Sequence, residues 1–131
     1  MKSPTTLGHK PIIEIPDYEK FEPNYPLATD VRALSIGMAQ YDGDDISLKV
    51  WRHVNSKWSR QSEELPIHRN LDLTLLFVST LLLIKNPKDT KSQLQIIKED
   101  EISKIQEFYE SKKEHFDKQL TEIKKLIEKL L

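Results

Sequence analysis

The chain has 131 residues, 37% hydrophobic and 31% charged, and its 20 basic side chains are balanced by 21 acidic ones. That size suits one modest domain, and the even charge removes any general electrostatic reason to bind nucleic acid or an anionic membrane. The absence of cysteine excludes disulfides, thiolate nucleophiles and cysteine-ligated zinc, and an N-terminus without a long apolar run, MKSPTTLGHKPIIEIP, sets the cytoplasm as the expected location.

Residues 11–15, PIIEI, read as a short strand between Pro11 and Pro16, at a sheet edge because proline cannot donate to a ladder. From Pro16 to Pro26 a wrapping loop follows, with Tyr18, Phe21 and Tyr25 as anchors. Thr29 or Asp30 can cap a helix over 31–40, but the alternation in RALSIGMAQ equally permits a strand, and the pattern does not separate the two. The acidic run Asp42 to Asp45 reads as a turn, lacking the ligand spacing of a calcium loop.

Ile46 to Val54 and Lys57 to Glu63 form the best hairpin candidate, turning at Asn55-Ser56, where the favoured two-residue turn would have glycine in place of Ser56. Extended from Val54 against Lys57, that register sets His53 against Trp58, Trp51 against Arg60 and Lys49 against Ser62. One face then carries Lys49, Trp51, His53, Trp58 and Arg60. The other starts with Ile46, Leu48, Val50 and Val54, which suit contact with an apolar helix.

Pro66 opens that helix, which runs to about Lys85 before Asn86-Pro87 stops it. Its run LDLTLLFVSTLLLI, Leu71 to Ile84, is shorter than the roughly 20 residues that cross a bilayer and contains Asp72, so a central core helix is expected, buried on more than one face, and no membrane partner. From Ser92 onward the chain reads as helical, with a break near Glu99-Asp100. Ile102, Tyr109, Phe116, Ile123 and Leu130 recur every seven residues, with Ile105 and Leu126 in a second seam that Lys112 and Gln119 dilute. That pattern suits packing onto the core or a homo-oligomer through the terminal helix. The expected architecture is therefore α+β: a single domain in which a short antiparallel sheet or hairpin packs on a central apolar helix, ahead of a long C-terminal amphipathic helical region.

All four arginines lie between Arg32 and Arg69, with both tryptophans among them, while the rest of the chain uses lysine. Arginine's planar fork matches carboxylates and phosphates in fixed geometry, which points to one recognition surface on a scaffold. Its candidate ligand-binding residues are Trp51, Arg52, His53, Trp58, Arg60, Glu63, Glu64, His68 and Arg69. A guanidinium over an indole presents a platform and a cation to an anionic ligand, and it serves equally as a packed structural cluster. Glu63, Glu64, Arg60 and Arg69 together also make an ion-pair network that would neutralise the arginines.

His53 and His68 with Glu63 or Glu64 fit no compact metal-binding spacing, and no phosphate cradle, nucleophile elbow or HExxH sequence occurs, so no metal, cofactor or reaction is assigned. His9 and His115 stand alone.

The segments RALSIGMAQ, ISLKVWRH and KWSRQSEELPIHRNLDL, within Arg32 to Asp72, resemble a small bacterial family of uncharacterised proteins. The resemblance implies that this stretch is a unit from which the terminal helix varies independently, and it implies no catalytic role. The functional expectation is a cytosolic protein that binds an anionic ligand or a protein partner through the hairpin face. A single-stranded nucleic-acid-associated protein, with Trp51 and Trp58 stacking and Arg52, Lys57 and Arg60 on phosphates, is the first alternative and an uncharacterised hydrolase the second.

Overall fold

Alternation decides the segment that the sequence leaves open. In Val31–Met38, small or polar side chains (Ala33, Ser35, Gly37) alternate with Leu34, Ile36 and Met38, and the segment pairs on both edges, so it is a strand. A computed structural model of the chain describes residues 1–23, 27–89 and 94–131, so Tyr25, Pro26 and Ser92 lie outside the described residues. By contacts the chain forms two compact units, Met1–Thr74 and Leu75–Leu131.

The first unit is an antiparallel sheet. Its strands are β1 (Lys10–Pro16), β2 (Val31–Met38), β3 (Ile46–Val54), β4 (Lys57–Trp58) and β5 (Glu64–Pro66), with order β1-β2-β3 and both short strands on the far edge of β3. The edge strand bounded by proline is present as expected, and the Asp42–Asp45 turn closes with the Asp45 N–H donating to the Asp42 carbonyl at 3.0 Å.

The hairpin keeps its expected register only at the turn, where His53 faces Trp58 and Val54 faces Lys57. Beyond Trp58 the chain loops out through Ser59–Ser62, tied by the Ser59 N–H to the Arg52 carbonyl at 2.7 Å and by the Arg52 N–H to Ser62 Oγ at 3.1 Å. It rejoins with Lys49 against Glu64 and Leu48 against Leu65. The expected pairs Trp51–Arg60 and Lys49–Ser62 therefore do not form. Because the slip is an even number of residues, each side chain keeps its face while its partner changes.

The α-helix α1 (Ile67–Lys85) begins in the first unit, where Asn70 joins Leu65 beside the sheet's apolar face. The fold is thus α+β, a short antiparallel sheet packed against the start of a central apolar helix and followed by a C-terminal helical region. No residue of α1 is buried, in contrast to the all-round cover expected from its composition. Its leucines are distributed around the axis, so a single neighbouring surface cannot cover them all. By length and composition α1 is apolar enough to cross a membrane. Its uncharged part, Leu73 to Ile84, spans roughly 18 Å, against a hydrocarbon layer of about 30 Å.

The second unit carries the rest of α1, then α2 (Ile102–Ser111) and α3 (Lys113–Leu130), separated at Lys112. Phe77 of α1 meets Phe116 of α3 edge-on at 5.6 Å, and Phe116 also contacts Phe108 and stacks on Tyr109.

Candidate functional site

The burial of the two faces of the sheet is the reverse of that expected. The face bearing Ala33, Ser35, Ser47, Lys49 and Trp51 is buried. Leu34, Ile36, Leu48 and Val50 on the opposite face are only partly covered, and Ile13 and Ile15 on β1 are 67% and 51% exposed.

Small side chains on β2 and β3 explain the burial of the polar face. Ala33, Ser35 and Gly37 leave room above the sheet, and His9, from the segment entering β1, fills it with no solvent exposure. Gly37 is required there by close approach, since a Cβ at that position would lie 2.0 Å from the Lys10 carbonyl oxygen. Trp51, 3% exposed, packs edge-on against His9 with ring centroids 5.8 Å apart.

The polar atoms form a continuous directional chain. Trp51 Nε1–H donates to Ser35 Oγ at 2.9 Å, and Ser35 Oγ lies 3.0 Å from His9 Nε2. His9 Nδ1 lies 2.9 Å from Ser47 Oγ, whose hydroxyl donates to Glu64 Oε2 at 2.7 Å. A carboxylate can only accept, so the Ser47 hydroxyl donates to Glu64 and accepts from His9 Nδ1–H. Neutral His9 then accepts at Nε2 from the Ser35 hydroxyl, whose oxygen also accepts from the indole. Burial holds the His9 pKa below the ordinary imidazole value despite the nearby Glu64, and Lys49 lowers it further. Burial of Glu64 acts to raise its pKa, but hydrogen bonds from the Gln40 N–H and Ser47, with the charges of His9 and Lys49, bring it below the usual carboxylate value. Every member is satisfied and closed to solvent or nearly so, which makes this network a device for fixing the sheet.

Trp51, His53 and Trp58 come together as expected: Trp51 and Trp58 meet edge-on at 5.8 Å, and His53 meets Trp58 at 5.0 Å. Trp58 and His53 form the half-buried rim of a cluster whose centre, Trp51, is closed. The cation over the Trp51 ring is Lys49, at 5.2 Å, in the role expected of Arg60, which is exposed at the looped-out segment.

Arg52 is neutralised from two sides, by Glu63 through Nε at 2.8 Å and Nη2 at 3.1 Å, and by Asp30 through Nη1 at 2.5 Å. The hydrogen bonds it donates to Glu63, with the one it donates to Asp30, raise its pKa against the effect of burial. The expected network of Glu63, Glu64, Arg60 and Arg69 is therefore replaced by two separate arrangements, Asp30–Arg52–Glu63 and His9–Ser47–Glu64. His68 and Arg69 are exposed at the start of α1. Among the described residues no three histidine or carboxylate side chains converge in a way that would hold a metal ion.

His9, Ser35 and Ser47 are the site residues that sequence reasoning passed over. The available signal was the alternation of small side chains on β2, Ala33, Ser35 and Gly37, with Ser47 beside Gly37 on β3, which marks a face needing a large residue from elsewhere to fill it.

The open face forms a cavity of about 460 Å³, walled by Ile13 and Ile15 on one side and Leu65 and Asn70 on the other, with Leu34, Ile36, Leu48 and Val50 as its floor. Four strands at ~4.8 Å spacing make it roughly 14 Å wide.

Residues 1–92 match the model of a family of unknown function, so the match takes in the sheet and α1 and stops before α2 and α3. It is broader than the central third that carries the resemblance in sequence. No curated protein and no solved structure matches the chain.

Proposed function

We propose, from the premise that this chain belongs to the family of unknown function DUF6530, that it is a cytosolic interaction module whose recognition surface is the open apolar face of the sheet. The proposed partner is a protein that lays the apolar side of an amphipathic helix across β1, β2, β3 and β5. One observation carries this reading: Ile13 and Ile15 are more than half exposed on a face with Leu34, Ile36, Leu48 and Val50, while the polar face is the buried one. The roughly 14 Å between the outer strands accommodates a helix about 10 Å across, and covering a sheet face with a helix is the common way such a surface is buried.

The anionic-ligand and nucleic-acid readings have less support. Trp51 is closed and Arg52 already holds two carboxylates, which leaves Trp58 for stacking and Lys57 and Arg60 for phosphate contact. The hydrolase reading rests on Glu63, Glu64, His53 or His68 as the acting group, and of these Glu63 is held by Arg52, Glu64 by Ser47 and the Gln40 N–H, and His53 packs on Trp58.

The test is methyl NMR on Leu34, Ile36, Leu48 and Val50 while a leucine/lysine model amphipathic helix is added, with dodecanoate as the small apolar comparison. Shifts at those methyls with the peptide, lost in Leu48→Glu, are expected. Silence at those methyls, or saturation by dodecanoate with no response to peptide, would overturn the proposal.

A further inference from the structure

Among the described residues of the helical unit from Leu75 to Leu131 none is buried, its aromatic cluster at Phe116 included, and an open cavity of about 580 Å³ separates Leu76, Leu83 and Ile84 of α1 from Ile96, Ile102 and Ile105. A helical unit this small needs a buried apolar layer or a partner to offset the conformational entropy of ordering it.

The structure points to a second copy of this chain as that partner, and we infer that α3 forms the seam. Described residues of α3 place Phe116, Leu120, Ile123, Ile127 and Leu130 at alternating steps of four and three, the spacing of a two-helix seam. This stripe is cleaner than the one apparent from a strict seven-residue count, which puts Lys112 and Gln119 on the seam. Ile123, Ile127 and Leu130 are 42%, 48% and 81% exposed.

Self-complementarity favours a copy of the same helix over an unrelated partner. Laid antiparallel, Leu120 faces the partner's Ile123 and Phe116 faces the partner's Ile127, so these four apolar positions meet one another, while Leu130 lies opposite the partner's Lys113 at the end of the seam. Asp117 then flanks the seam beside the partner's Lys124, and the two-fold axis repeats that pair. Asp117 is 44% and Lys124 77% exposed, held only by neighbours within their own unit. The α3 helix lies outside residues 1–92, so this association is separable from the sheet surface proposed above.

Light scattering and sedimentation of the full chain test it. The expected mass is twice 15.4 kDa at high micromolar concentration, with helicity and melting temperature falling together on dilution. Ile123→Glu with Ile127→Glu is expected to weaken the dimer by ~100-fold or more, while Lys118→Glu and Lys125→Glu, on the opposite side of α3, leave it intact. Because the first variant can unfold the unit, the charge exchange is the second measurement. Asp117→Lys weakens the dimer and adding Lys124→Asp restores it, a rescue that a role confined to one helix does not produce. A 15.4 kDa wild-type chain with concentration-independent helicity overturns the inference, as does a dimer indifferent to the charge exchange or a monomer that instead partitions onto phosphatidylglycerol vesicles.

Discussion

His9 and Trp51 meet on one hydroxyl: the indole N–H donates to Ser35 Oγ, which in turn reaches His9 Nε2. This shared atom ties the segment ahead of β1 to the centre of β3 across β2, and Glu64, by taking the Ser47 hydroxyl proton, fixes the His9 tautomer as Nδ1–H. Nitrogen-15 NMR of the imidazole is expected to show a neutral ring protonated at Nδ1. His9→Ala removes one hydrogen-bond partner each from Ser35 and Ser47 and opens a cavity, and urea unfolding is expected to register a loss of about 3 kcal/mol. A loss below about 1 kcal/mol would mean the network is not what holds the segment.

The same network sets a pH dependence with one sign. His9 binds its proton less readily in the fold than in the unfolded chain, so its contribution is complete above pH 6.5 and declines as the pH falls below that value. Glu64 also has a folded pKa below its ordinary 4.5, so its contribution is lost as the pH falls below 4.5. Stability measured by denaturant titration should fall below pH 6.5 and fall further below 4.5. In His9→Gln the first decline should shrink, and an unchanged profile in that variant would assign the decline to other groups.

Much of the layout follows from local rules. Pro11 and Pro16 mark β1 and its edge position, Asn55-Ser56 marks the turn, and Pro66 and Asn86-Pro87 bracket α1. The face assignment fails at Lys49 and Trp51. Leucine and valine at positions 48 and 50 indicate an inward side by hydrophobicity, but the decision rests on Ser35, Gly37 and Ser47, whose small size only matters once His9 is brought over them from the N-terminal segment. The two-residue slip after Trp58 is likewise set by tertiary hydrogen bonds, the Arg52 N–H to Ser62 Oγ and the Ser47 hydroxyl to Glu64, which no local pattern announces.

The two tryptophans should report separately on the two environments. With Trp58→Phe, the remaining Trp51 is expected to emit at short wavelength and resist iodide quenching. With Trp51→Phe, Trp58 should emit further to the red and quench more readily. Trp51→Ala is expected to cost about 4 kcal/mol, the scale for truncating a buried large aromatic, and Trp58→Ala distinctly less. Equal quenching of the two would contradict the closed position of Trp51.

Gly37 and Gly43 form a matched pair of substitutions. A methyl at Gly37 would lie 2.0 Å from the Lys10 carbonyl oxygen and 2.8 Å from Pro11 Cα, both backbone atoms, so β1 has to move. Gly37→Ala is therefore expected to destabilise by about 2 to 3 kcal/mol or more and to disturb His9, one residue before Lys10. A methyl at Gly43 meets nothing within 4 Å, and Gly43→Ala should stay within about 0.5 kcal/mol of wild type. Comparable effects at both positions would remove the close approach of β1 to β2 as the reason for glycine at 37.

The turn at Asn55-Ser56 carries strain that a single substitution can release. Both residues have left-handed backbone, φ 51° at Asn55 and 63° at Ser56. Asparagine tolerates this region, whereas serine incurs part of the roughly 1 to 2 kcal/mol that a Cβ costs there. Glycine at 56 removes that penalty but loosens the unfolded chain, so the net gain in Ser56→Gly is expected to be about 0.5 kcal/mol, seen as a raised denaturation midpoint at unchanged slope. Ser56→Val, branched at Cβ, should lower the midpoint instead. Because β4 has only Lys57 and Trp58, the hairpin end depends on this turn more than a long ribbon would. A neutral Ser56→Gly together with a neutral Ser56→Val would show that the Trp58 contacts with Trp51 and His53, rather than the turn, hold the two strands together.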